Sequence, residues 1–294
     1  MSRIFEPATK RNWLPTGTVV RSYVIHERIA ATGTGEVYRA TDHIGRREVA
    51  LKLLPVPPGC NAEQTHALAR QIKLQAPPRH PHICELYETG VTETGQLFVA
   101  AELVAGQSLD VLAQAGAKLD VPLIAAQIAA ALHAAHARGQ LHGDLKLSDL
   151  MLTHTGDVKV LDFGLGVFKP LWQPLGKNGI PLAHTLPSSI RHFTPEHINR
   201  IPFSPQSDLF SLGTILYELL AGRLPFAVKG KSIAEAARLI EEQEPVALGE
   251  IDRALRGDVQ TITAKAMEKD PERRYASAAE LAADIRRFLA DLPI

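Results

Sequence analysis

Seven short stretches of the 294-residue sequence hold the residue types that can do chemistry. The first four in chain order are IAATGTGEVYRA at Ile29 to Ala40, VALK at Val49 to Lys52, HGDLKLSDLML at His142 to Leu152 and LDFG at Leu161 to Gly164. TPE at Thr194 to Glu196, SDLFSLGTILYELLAGRLPF from Ser207 and EKDPERRY at Glu268 to Tyr275 follow. Glycines in a loop let backbone N–H groups come close to a phosphate and adopt φ values barred to other residues. The carboxylates Asp144, Asp149 and Asp162 fall within these stretches. Lys52 closes a β-branched run and should project from a strand, either as a functional cation or as a surface lysine on a half-buried strand. Asp-Phe-Gly alone is weak evidence, because Asp and Gly are also turn residues. His133 and His136 sit at i, i+3 on an Ala-rich segment with His142 beyond, and no carboxylate or cysteine completes a tetrahedral zinc set.

The elements that must position these residues change character near the middle of the chain. Up to about Val104, β-type runs (VVRSYVIHERI, EVYRAT, REVALKLL, ICELYETG, QLFVAAELV) alternate with the turn sequences GTG, DHIG, PVPPG and TETG. One helix is predicted among them, from Ala62 to Gln75, with Leu68 and Ile72 on one face and Pro77 and Pro78 closing it. After Gly106 the pattern turns helical. Val121 to Ala137 is apolar nearly all round and predicts a buried helix. Further helical periods follow in SDLFSLGTILYELLAG, SIAEAARLIEEQ, DVQTITAKAMEK and SAAELAADIRRFL. Phe168 to Pro202 reads as a long polar loop carrying Pro170, Pro174, Pro181, Pro187 and Pro195, and loops of that length in a compact chain are usually functional.

Composition narrows the classes. Lys plus Arg number 32 against 32 Asp plus Glu, so the basic excess of a dedicated nucleic-acid binder is missing. Hydrophobic residues at 45% and charged residues at 22% are those of a folded globule. Cys60 and Cys84 make neither a disulfide framework nor a metal pair. No run reaches the roughly 20 apolar residues that span a bilayer, and MSRIFEPATKRNW has no apolar signal core. The expectation is a cytoplasmic protein with no membrane segment in this chain; an anchor beyond residue 294 in a longer parent stays open.

The seven stretches in this order resemble the eukaryotic-type protein kinases, and specifically the bacterial serine/threonine kinases, over about Thr18 to Leu289. The resemblance implies an α+β, bilobal fold with a small β-rich N-terminal lobe and a larger, mainly α-helical C-terminal lobe. It divides the chain into an N-terminal extension over 1–17, a lobe over 18–104 ending in a hinge, a lobe over 105–291 and a tail over 292–294. It implies ATP- and Mg²⁺-dependent transfer of the γ-phosphate to serine or threonine hydroxyls of proteins, the chain itself included. By the same resemblance Lys52 holds the α- and β-phosphates, Asp144 is the catalytic base and Lys146 stands near the γ-phosphate. Asp162 and Asp149 are the implied metal ligands, and Ile29, Ala30, Thr32, Gly33, Gly35, Val37, Ala50, Ala101, Glu102 and Val104 the nucleotide-binding residues. Ala101 falls where a bulkier residue would close a space behind the adenine. Asp208 is implied to anchor the catalytic-loop backbone, Glu196 and Arg274 to form an ion pair, and His142 to be structural. Thr185, Ser188 and Ser189 are hydroxyls placed for autophosphorylation or simply solvated.

The chain departs from the family pattern at several positions. Where G-x-G-x-x-G is expected, the three glycine positions read Ala30, Thr32 and Gly35. Nine residues before His80, where a helix glutamate would pair with the strand lysine, stands Gln71. Gly143 replaces an arginine, Thr194 an alanine, and Asp149 an asparagine that binds the second metal, a change compatible with Mg²⁺ or Mn²⁺. These departures leave a second reading open, a pseudokinase that acts as an interaction scaffold with or without nucleotide.

Overall fold

The structure is a computed structural model and describes residues 14–32, 35–166, 168, 193–199 and 201–294. The chain divides into two compact units, one built from the residues up to Arg70 with Leu86–Leu103, the other from Gln71–Glu85 with Val104–Ile294.

The first unit is an antiparallel sheet of β1 (Val19–Val20), β2 (Tyr23–Thr32), β3 (Gly35–Asp42), β4 (Arg47–Leu54), β5 (Leu86–Val91) and β6 (Leu97–Glu102) in the order β1-β2-β3-β4-β6-β5. Side chains alternate across a strand, so one face collects Tyr38, Ala40, Val49, Leu51, Leu53, Phe98 and Ala100 into a core with Tyr23 and Ile25. The register puts Val37 opposite Lys52 and Lys52 opposite Val99, while Ala50 faces Ala101. These residues therefore share the other face. Helix α1 (Ala62–Leu74) starts on a reciprocal cap in which Gln64 N–H donates to Asn61 Oδ1 and Asn61 N–H to Gln64 Oε1, both 2.9 Å. Its buried row is Thr65, Leu68, Ala69 and Ile72, and the Thr89 hydroxyl of β5 ties to the Ala69 carbonyl at 2.8 Å.

The second unit is helical around a small sheet. Its helices are α2 (Leu109–Gln114), α3 (Val121–His136), α4 (Pro195–Asn199), α5 (Pro205–Ala221), α6 (Ile233–Glu242), α7 (Leu248–Ile251), α8 (Asp258–Ala266) and α9 (Ala278–Leu289). Asp120 caps α3 by accepting from Leu123 N–H at 3.1 Å, and the Ala-rich helix is buried along Ile124, Ala125, Ile128, Ala129, Leu132 and Ala135. The central α5 has Pro205 in its first turn, is buried from Ser207 to Tyr217, and ends on Gly222 in the left-handed region at φ 65°.

Two expectations are corrected here. The chain after Gly106 is not purely helical: β7 (Gly106–Ser108), β8 (Leu150–Thr153) and β9 (Val158–Val160) form an antiparallel sheet in the order β7-β8-β9. The run VKVL before Asp162 reads as a strand and is β9, but β7 and β8 show too few alternations to read, and β7 finds its partner far along the chain. Gly106 is glycine because a Cβ there would lie 2.2 Å from the Leu152 carbonyl oxygen. The stretch read as a loop from Phe168 to Pro202 contains α4 near its end; residues 169–192, with Thr185, Ser188 and Ser189, lie outside the described residues.

Candidate active site

The segment between α3 and β8 is fixed from beneath by one carboxylate. Asp208, in the first turn of α5, accepts from His142 N–H at 2.8 Å, from Gly143 N–H at 2.9 Å and from His136 Nε2 at 2.9 Å. Burial acts to raise its pKa, but the His136 hydrogen bond, the neighbouring His142 and His136 and the Gly143 amide prevail and hold it below the ordinary carboxylate value. A depressed native pKa contributes stability above the unfolded value of about 4 that is lost as pH falls through the lower native value. The melting-temperature gap between wild type and Asp208→Asn is therefore expected to narrow as pH is taken below about 4. A gap that stays constant on thermal scans across that range would refute the assignment.

His142 sits inside this segment as a structural residue. Its Nε2 donates to the Leu161 carbonyl at 3.0 Å, and its ring meets Phe163 edge-on at 5.0 Å. Gly143 takes φ 78°, a value suited to glycine. A Cβ on Gly166 would fall 2.5 Å from His142 O, 2.6 Å from Gly143 C and 2.7 Å from Asp144 N, all backbone atoms. Gly166→Ala must push the two segments apart, and a loss of about 1–3 kcal/mol is expected in denaturant titration. An unchanged midpoint would show that the approach is not tight.

Within the second unit the structure brings together three of the predicted side chains. Lys146 Nζ lies 3.0 Å from Asp144 Oδ2 and 2.9 Å from Asp149 Oδ2. Asp149 closes the 3₁₀ turn Leu147–Asp149, and its carbonyl accepts from Leu161 N–H at 2.7 Å. That bond ties the turn to the residue before Asp162, which itself adopts φ 55°, uncommon for a non-glycine residue. Among the described residues no three His, Cys, Asp or Glu side chains converge into a metal site. One or two carboxylates completed by water and substrate phosphate is the usual provision for Mg²⁺, and the carboxylate chemistry of Asp149 and Asp162 fits it.

In the first unit Lys52 is buried, with Val37, Ala50 and Ala101 half-buried on the same sheet face. The paired alanines leave that face low beside the lysine. Ala30 is exposed opposite Val37, Ile29 is 47% exposed and Glu102 ends β6 half-buried. Gly35 opens β3, where a Cβ would lie 2.1 Å from the Leu53 carbonyl oxygen, so close strand approach alone requires glycine there. Thr32 pairs with Gly35 in backbone register; Gly33 lies outside the described residues. Val104 is half-buried and opens the second unit's longer stretch.

Gln71 is exposed, one position off the buried row of α1, so the register counted back from His80 does not place it on that helix's inner face. That row holds no carboxylate. Sequence reasoning also missed His136 as a holder of Asp208, since nothing in local spacing links residues so far apart. The pair Glu196–Arg274 forms at 2.6 Å with both side chains buried. Arg274 donates further to the carbonyls of Gln206, Glu268 and Lys269 at 2.9, 2.6 and 3.0 Å. Thr194, where the family pattern has alanine, has its hydroxyl 3.0 Å from His197 Nδ1, and the imidazole stacks on Phe193 and meets Phe203 edge-on.

The family described as protein kinase domain matches residues 23–284. The chain is 32% identical over 271 residues to a probable serine/threonine-protein kinase of Streptomyces coelicolor, covering 89% of this chain and 39% of that protein. It is 30% identical over 267 residues to the serine/threonine-protein kinase PrkC of Bacillus subtilis, covering 90% of this chain and 40% of that one. The chain thus spans about two-fifths of the length of these curated relatives. The crystal structure of the Mycobacterium tuberculosis PknI kinase domain superposes with a TM-score of 0.73 at 22% identity, over 95% of this chain and 100% of that one.

Proposed function

Because the chain belongs to the protein kinase domain family, we propose that it transfers the γ-phosphate of ATP to serine or threonine hydroxyls of proteins, itself among them. The observation that carries this reading is the Asp144–Lys146–Asp149 cluster, held on a loop whose backbone is pinned by Asp208. Such transfer needs alignment and charge neutralisation more than covalent chemistry, so a rigid loop presenting a carboxylate and an ammonium supplies most of what it requires.

In this reading Asp144 accepts the proton of the attacking hydroxyl, and Lys146 steadies the γ-phosphate. Lys52 holds the α- and β-phosphates, and Ile29, Ala30, Thr32, Gly33, Gly35, Val37, Ala50, Ala101, Glu102 and Val104 receive the rest of the nucleotide. Members of this family generally use ATP with Mg²⁺; Asp149 and Asp162 would hold the cation, Mg²⁺ or Mn²⁺, which neutralises phosphate charge. The machinery is assigned to 18–104 and 105–291. Among the described residues no helix is long and apolar enough to cross a membrane, and we place the action of this domain in the cytoplasm. The test is incorporation of label from ATP into the protein and into a generic basic substrate, with Mg²⁺ and with Mn²⁺. Incorporation is expected. None with either metal, in protein shown to be folded, would overturn the reading in favour of a scaffold.

A further inference from the structure

We propose that Lys146 and a divalent cation compete for Asp149, so that a cation bound there loosens the lysine ammonium and leaves it available to a phosphate. The proposal rests on the reading of Asp149 as a cation ligand and adds how its partners exchange. Lys146 Nζ is shared almost evenly, 3.0 Å from Asp144 Oδ2 and 2.9 Å from Asp149 Oδ2. The Asp149 side chain is only 6% exposed and that of Lys146 27%. With both carboxylates ionised, the three side chains carry one net negative charge. An amide at 149 would leave Asp144 and Lys146 a balanced pair, with no second carboxylate drawing the ammonium away.

Withdrawing an ammonium from a buried carboxylate is costly, and a second cation at Asp149 offsets that cost when Lys146 moves away. A hard divalent cation is the replacement that the oxygen chemistry of Asp149 accepts. Asp149 passes from ammonium to cation, and Lys146 keeps Asp144 while its remaining N–H donors become available to phosphate oxygen. The aspartate is thereby more than a tolerated replacement for asparagine: it couples release of Lys146 to the metal.

The experiment is a titration with Mn²⁺ alone, without nucleotide, read as loss of the free-ion electron paramagnetic resonance signal. Wild type is expected to bind weakly. Lys146→Met should bind roughly tenfold more tightly, because a like charge about 3 Å from the ligand oxygen has been removed. Adding Asp149→Asn to that variant should abolish the gain. Lys146→Gln serves as a second neutral variant, so that a folding defect in one does not decide the matter. Unchanged or weaker Mn²⁺ binding in both neutral variants would overturn the proposal, as would a gain that survives Asp149→Asn. Failure of the labelled-ATP assay would instead refute the kinase reading, since this titration contains no nucleotide.

Discussion

Asp144→Asn is expected to lower phosphoryl transfer by roughly 10²- to 10⁴-fold while leaving the fold intact, the range a positioned general base contributes. The substitution keeps the size and planarity of the side chain and removes its ability to take a proton. Lys146 retains Asp149 at 2.9 Å, so the loop loses one of two ion-pair contacts rather than its anchor. The anchor is Asp208, whose bonds go to the backbone N–H groups of His142 and Gly143 and do not involve the Asp144 side chain. Initial rates of label transfer at saturating ATP, beside thermal melts of the same samples, separate the two effects. A rate within threefold of wild type would remove Asp144 from the role of base. A rate loss matched by a collapse in melting temperature would make it a structural residue instead.

Arg274→Met is expected to be the most damaging single change to stability, by on the order of 3–5 kcal/mol. It strands the Glu196 carboxylate, 2% exposed, without its partner at 2.6 Å. It also strips donors from the carbonyls of Gln206, Glu268 and Lys269, which Arg274 holds together with Glu196 in the first turn of α4. Methionine fills much of the same volume, so the cost is electrostatic and hydrogen-bonding rather than a cavity. Adding Glu196→Gln should recover a substantial part of the loss, because a neutral amide is far less costly to leave buried than a lone charge. Denaturant midpoints of wild type, both single variants and the double variant close the cycle. A double variant as unstable as Arg274→Met would show that the carbonyl contacts, not the ion pair, carry the effect.

Much of the fold was legible because local periodicity is written in the chain. The run Ala62 to Gln75, read from its spacing and the two prolines beyond, is α1 at Ala62–Leu74, and the apolar run from Val121 is α3 at Val121–His136. The β-type runs before Val104 are the strands of one sheet, and its alternation sets Val37, Ala50, Lys52 and Ala101 on one face. Motif order pointed to the family, which the match over residues 23–284 shows. It also pointed to the Glu196–Arg274 pair and the grip of Asp208 on the loop, both of which the structure contains.

Other features depended on distances across the fold. Counting back from His80 points to Gln71, but the rotational phase of α1 decides which residues face inward, and that row runs through Thr65, Leu68, Ala69 and Ile72. Gly35 looks like the last glycine of a phosphate loop, yet the approach of Leu53 by itself forbids a side chain there. Gly166 carries no sequence mark, and only the crossing of two backbone segments shows why it is glycine. The family resemblance makes Asp149 a metal ligand, whereas its ion pair with Lys146 comes from the 3₁₀ turn that brings both side chains together. Periodicity, caps and residue chemistry are properties of neighbours along the chain and determined the elements and the candidate residues. Contacts, helix phase and the partner of each charge are properties of neighbours in space, which only the tertiary structure could decide.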